Sequence, residues 1–180
     1  MAHLDKEFVY PAAASVAALL GAGFDLKSRR IPNFVTGPAT LAGLLLHLAL
    51  DGWHGLLASL ASGLLCGVIF LIFYLAGGMG AGDVKLITAA GCLIGLPNSA
   101  YLLILTSLAG GAMALGLALV RGQVRATLGN MLALASHHKS RGLTPHPDLH
   151  VGNTCTLRLP YGLAIAAGSC ITLYLQGMQR

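Results

Sequence analysis

Asp25 and Asp83 are two of only six acidic residues in a chain of 180, and both stand where a carboxylate is costly. Asp25 closes the apolar run 8–24. Asp83 closes the run 52–82, directly behind the four glycines of GGMGAGD. A charge at the edge of an apolar segment points to function. Two carboxyls brought close together cannot both ionise, so they share one proton. The ionised partner can then take a proton from water while the protonated one donates to a carbonyl oxygen. Hydrolysis follows without a covalent intermediate. Such a pair titrates jointly, so neither residue is assigned a fixed acid or base role. Gly77, Gly78, Gly80 and Gly82 leave the backbone beside Asp83 bare, as close approach of an extended substrate would require. Plainer readings stand beside this one. Asp83 can cap a helix N-terminus, and Asp25 can neutralise Lys27 or Arg29. The residue types alone leave these alternatives open.

The elements that must position the two carboxyls are membrane helices. The chain is 56% hydrophobic and 9% charged, with mean hydropathy +0.75. A soluble domain carries about 25% charge, so this composition predicts an all-α, polytopic membrane bundle. Uncharged stretches run over 8–24, 31–50, 52–82, 86–120 and 159–179. A spanning helix needs about 20 residues. Residues 8–24, 34–50, 56–76 and 160–177 therefore each form one span. The stretch 86–120 is too long for one, and Leu96-Pro97-Asn98-Ser99 divides it into 84–96 and 99–120. The result is six spans in a single membrane-embedded domain, 1–180, with a loop at 121–158.

Charge sets the orientation. With six crossings, Lys27, Arg29, Arg30, Arg121, Arg125, Lys139, Arg141 and Arg158 gather on one side, with Lys85 at its edge. Only Lys6 and Arg180 face the other. Basic residues accumulate on the cytoplasmic side, which predicts both termini outside and Asp25 and Asp83 together at the cytoplasmic edge. Asp51 falls on the opposite side. Lys6 is offset by Asp5 and Glu7, and the basic cluster follows the first span, so residues 1–24 do not read as a signal peptide.

Other chemistries leave no trace. The net charge of +5 lies at span ends, without the aromatic-basic interleaving of nucleic-acid binding. There is no HExxH, and the nearest approach to a GxSG motif is Leu60-Ala61-Ser62-Gly63. Asp83 stands where a P-loop would need lysine. Cys66, Cys92, Cys155 and Cys170 form no CxxC and read as packing residues. The pairs Gly63–Gly67 and Gly91–Gly95 read as helix-packing GxxxG motifs. His137, His138, His146 and His150 read as part of a solvated loop, and no metal or cofactor is expected. Val124, Leu128, Met131, Leu132 and Ala135 share one face of a candidate interfacial helix.

Three motifs carry a family resemblance. GAGD at 80–83 fits the GxGD motif of intramembrane aspartyl proteases. DLKSRRIPN at 25–33 and GAGDVKL at 80–86 resemble the two aspartate motifs of type IV prepilin peptidases, and LPYGLAIAAG at 159–168 resembles their C-terminal helix. The resemblance implies a bacterial inner-membrane aspartyl endopeptidase. It would cut the basic leader from pilin precursors on the cytoplasmic side, with Asp25 and Asp83 catalytic. Lys27, Asn33, Gly80, Gly82 and Lys85 match motif positions that shape the site. Longer members carry a cysteine-rich zinc region and methylate the new pilin terminus. This chain resembles the short, peptidase-only branch associated with Flp/Tad-type pili. Two readings from other classes are a small proton- or ion-coupled transporter using Asp25 and Asp83, and a non-catalytic pilus-assembly subunit. A transporter would usually show midplane charges and an internal repeat; here both aspartates lie at one edge. The intact aspartate motifs argue against an assembly subunit. The sequence leaves the oligomeric state open.

Overall fold

The computed structural model describes residues 6–122, 124, 125, 129, 130, 133 and 159–178. The described residues form five helices: α1 (Lys6–Ser28), α2 (Asn33–Leu75), α3 (Ala81–Ile94), α4 (Leu96–Val120) and α5 (Tyr161–Met178). Three of them, α1, α2 and α4, are long and apolar enough to cross a membrane. α3 and α5 are not in that set, so the six-span expectation is met in its helical character and in part of its count. The histidines of 137–150, Cys155, and Leu128, Met131, Leu132 and Ala135 of the candidate interfacial helix lie outside the described residues.

α2 covers both stretches, 34–50 and 56–76, predicted as separate spans. Straight, its 43 residues would be about 65 Å long. It folds back at Gly52, whose φ of 66° and ψ of −153° break the helical path; a positive φ costs glycine nothing. The two arms clasp α3 between them. Asn33 lies near Lys85 and His47 near Leu93, so the first arm runs parallel to α3. Ser59 bonds to Cys92, and a Cβ on Gly67 would strike Thr88, so the second arm runs antiparallel.

Close packing comes from small residues. A side chain on Gly63 would lie 2.2 Å from Cys92 Sγ, and one on Gly91 3.0 Å from Cys66 Cβ. Both predicted GxxxG pairs thus serve the clasp of α2 on α3. Cys66 and Cys92 are buried there as free thiols. Ser59 and Ser62 donate to the Cys92 and Gly91 carbonyls at 2.7 Å, so these polar groups are satisfied inside the bundle. α5 packs antiparallel to both α1 and α4: Gly162 meets Asp25, and Gly168 lies against Thr106. Leucines at 19, 45, 64 and 108 face outward, as a lipid-facing surface requires.

The break between α3 and α4 lies at Gly95, with φ of 78°, one residue before the predicted position. Leu96–Ser99 begin α4 instead of interrupting the chain. Proline costs no hydrogen bond in a first helical turn, so Pro97 starts a helix where it was expected to end one.

Candidate active site

Both aspartates continue the buried face of their helix. On α1 the buried positions Ala14, Ala18 and Ala22 step by four, and Asp25 follows by three. On α3 the buried face runs Asp83, Leu86, Ile87, Ala90, Leu93 and Ile94. Helical periodicity therefore turns both carboxyls inward. Asp83 is 8% exposed and Asp25 is half-buried.

The turns beside them bring the two motifs together. α1 stops after Ser28. Arg29 takes a φ of 52°, its amide donating to the Asp25 carbonyl at 2.8 Å. Pro32 then keeps Ile31 out of the helical region and stands as the N-cap of α2. This places Ile31, itself buried, over Gly82, where an added Cβ would lie 3.2 Å from Ile31 Cβ. Two residues further on, Asn33 Oδ1 accepts a hydrogen bond from Lys85 Nζ at 3.0 Å. The first aspartate motif is thus stitched to the second at two points, and Asp25 lies within electrostatic reach of Asp83.

The glycines of 77–82 have separate reasons. Gly77, at φ 79°, ends α2: its amide donates to the Tyr74 carbonyl and that of Gly78 to the Phe73 carbonyl, both at 2.9 Å. That is a Schellman stop. Gly80 is the N-cap of α3, and its amide donates to Asp83 Oδ2 at 3.1 Å. Gly82 admits Ile31. Asp83 is therefore the third residue of α3, not a residue ahead of it, and it does cap its own helix. Capping and chemistry are compatible roles for one carboxylate.

Two neighbours emerge that spacing did not assign. The Gly162 amide, at the start of α5, donates to Asp25 Oδ2 at 3.1 Å. A Cβ on Gly162 would come within 3.0 Å of Asp25 Cβ and Oδ2, so only glycine lets the amide reach the carboxyl. Tyr161 lies within electrostatic reach of Asp83 and is half-buried. The sequence signal for both was the motif at 159–168. Of the predicted site residues, Asp25, Asp83, Asn33, Gly80, Gly82 and Lys85 are drawn together, whereas Lys27 stays exposed in the last turn of α1. Among the described residues no three His, Cys, Asp or Glu side chains group as a metal site would need.

A groove of about 560 Å³ opens on the outer side of the joined motifs, with Asn33, Gly37 and Leu41 on one wall and Val84, Lys85 and Thr88 on the other; neither aspartate lines it. Asp51, by contrast, stands at the opposite end of the bundle. Lys6 Nζ lies 2.8 Å from its Oδ1, Tyr10 donates to its Oδ2, and His47 Nδ1 is 3.7 Å away. His47 stacks on Tyr10 at 3.8 Å between ring centroids.

Fold and site define an all-helical membrane protein with a pair of inward-facing carboxyls at one end of its bundle. The family model described as the type IV leader peptidase family matches residues 12–115. The match takes in more than half of the chain and both aspartate motifs. The chain belongs to the type IV leader peptidase family, which makes it a peptidase and gives no support to the transporter alternative. No curated protein and no solved structure matches the chain significantly.

Proposed function

We propose that this protein is an aspartyl endopeptidase that removes the basic leader from pilin precursors, with Asp25 and Asp83 as its catalytic pair. One observation carries the reading: two carboxyls from separate helices face inward at the same end of the bundle, in motifs joined by the Lys85–Asn33 bond and the Ile31–Gly82 contact. An ionised carboxyl takes a proton from water as the water oxygen attacks the peptide carbonyl. The protonated partner donates to the carbonyl oxygen. When the C–N bond breaks, the leaving amine takes up a proton. The Gly162 amide fixes Asp25 in place, and the Gly80 amide fixes Asp83.

The protein lies in the bacterial inner membrane as one peptidase domain that crosses it six times. Each arm of α2 is one crossing, and α3 and α5 complete the count. Both termini are periplasmic. Lys27, Arg29, Arg30 and Lys85 all stand at the aspartate end, which supports cleavage at the cytoplasmic face. The motif resemblance to the peptidase-only branch supports Flp/Tad-type pilins as the precursors.

The test is cleavage of a co-expressed prepilin in membranes, followed by the mass shift of the leader, for the wild type and Asp83→Ala. Processing by the wild type alone is expected. Equal processing by both would return Asp83 to a helix cap. No processing of any prepilin in a panel, despite good insertion, would overturn the proposal.

A further inference from the structure

We propose that the groove between the first arm of α2 and α3 is the docking track for the apolar helix that follows the cut site in the precursor. This rests on the peptidase reading above. The groove starts one residue past Asp83, at Val84, and is open to the outside of the bundle. On α2 its wall steps through Asn33, Thr36, Gly37 and Thr40; on α3 it steps through Val84 and Thr88. Those intervals are helical, and the two helices run parallel here, so the track follows the helix axes for about two turns away from the carboxyls.

Its chemistry fits an apolar helix. Thr40 and Thr88 have already given their hydroxyl protons to the Thr36 and Val84 carbonyls of their own helices, at 2.8 and 2.7 Å. They make no demand on an occupant for a hydrogen-bond acceptor. At membrane depth a polypeptide occupant must satisfy its own backbone, which requires a helix. Small wall residues let such a helix approach closely. Leu41 and Phe34, on the same arm, are 61% and 67% exposed and extend the apolar surface. A helix seated here would present its N-terminal end at Asp83, where the chain has to become extended to be cut. Asn33 and Lys85, whose bond joins the two aspartate motifs, also line the groove, and this link to the site makes the precursor's own apolar segment the occupant.

Gly37 gives a clean probe. A Cβ at this position would meet no atom within 4 Å, so a larger residue fills the groove without straining the fold. Gly111 and Gly116 on α4 are equally open and lie away from the groove, so Gly111→Leu serves as control. Two substrates are compared: a full Flp-type prepilin with leader and apolar helix, and a soluble peptide with the same leader and cut site but no helix. Gly37→Leu should lower kcat/KM for the full precursor about tenfold more than for the peptide, mainly through KM. Gly111→Leu should shift neither. Equal effects on both substrates, or an equal effect of the control, would overturn the track. Binding of the full precursor is also measured in the Asp83→Asn background. Binding that Gly37→Leu weakens would uphold the track even if the wild type cleaved nothing, which separates it from the peptidase reading. No binding by any precursor in a panel would overturn it.

Discussion

Gly162→Ala adds one methyl group and removes no hydrogen-bond donor, yet it should slow the peptidase. Alanine Cβ would lie 3.0 Å from both Cβ and Oδ2 of Asp25 and 3.2 Å from Ala22 Cα, where ordinary contact starts near 3.4 Å. Ala22 is backbone on a helix and cannot swing aside. Asp25 must therefore give way by a few tenths of an ångström. Misplacing a reacting group by about 1 Å costs on the order of 10²-fold, so this displacement alone predicts a loss of roughly fivefold. Stretching the amide contact to Oδ2, now 3.1 Å, takes the expected loss to roughly 5–30-fold in kcat, or about 1–2 kcal/mol in the barrier. The assay is the rate of leader release from a purified precursor in detergent or vesicles, with kcat and KM separated and thermal unfolding followed in parallel. Gly110→Ala is the control, because it places a methyl group at the neighbouring α4–α5 interface at an ordinary 3.6 Å from Ala164 Cβ. A folded Gly162→Ala protein with wild-type kcat would refute the reasoning. So would a loss no larger than that of Gly110→Ala.

The remaining expectations address the two ends of the bundle separately. Asp25→Asn and Asp83→Asn should each abolish leader release while leaving the protein inserted, since an amide oxygen can still accept from Gly162 or Gly80; retained cleavage in either would remove that residue from the pair. Asp51→Ala should keep kcat but lower the melting temperature, because it strips Lys6 and Tyr10 of their partner; for a partly exposed pair the loss is about 1 kcal/mol. A fall in kcat with unchanged melting would contradict the assignment of Asp51 to the fold. Gly95→Ala should destabilise the protein by at least about 1–2 kcal/mol, since φ is 78° and the new Cβ would stand 2.7 Å from His47 Cε1. Unchanged thermal unfolding would refute that account.

Much of this was legible because local chemistry wrote it. Ile31-Pro32-Asn33 had to interrupt a helix, and the apolar runs had to be helices. Asp25 and Asp83 had to share a depth if the chain reverses between them. What stayed illegible depends on lateral contact. The Lys6–Asp51 pair joins residues 45 apart in sequence, and Gly162 reaches Asp25 across 137 positions; no spacing rule connects them. Pro97 misled for a definable reason, since the same residue that disrupts a helix interior is favoured in a first turn. The capping alternative for Asp83 was correct as geometry, but it did not compete with a chemical role. A buried N-terminal carboxylate already held by one amide is preorganised for both.

The two ends of the molecule are built differently, and that difference bears on how the pair is held. At the far end, Lys6, Tyr10, His47 and Asp51 tie α1 to the bend of α2, and His47 Nε2 lies 3.2 Å from the Leu93 carbonyl near the end of α3. These are directional contacts that set the register of α1 along the bundle. In the middle, Gly21 makes room for the Leu86 side chain, which packs directly on the α1 backbone. At the site end, backbone amides, glycines and the Lys85–Asn33 bond do the holding, and Asp25 and Asp83 are the only carboxyl side chains there among the described residues. A slip of α1 by one residue would move Asp25 by about 1.5 Å along the axis and turn it by 100° off the buried face. The ties of α1 at Lys6 and Tyr10, about 28 and 22 Å of helix from Asp25 at that rise per residue, therefore act together with the Ile31–Gly82 contact and the Lys85–Asn33 bond at the site end, so that no single tie alone keeps the two carboxyls at one depth.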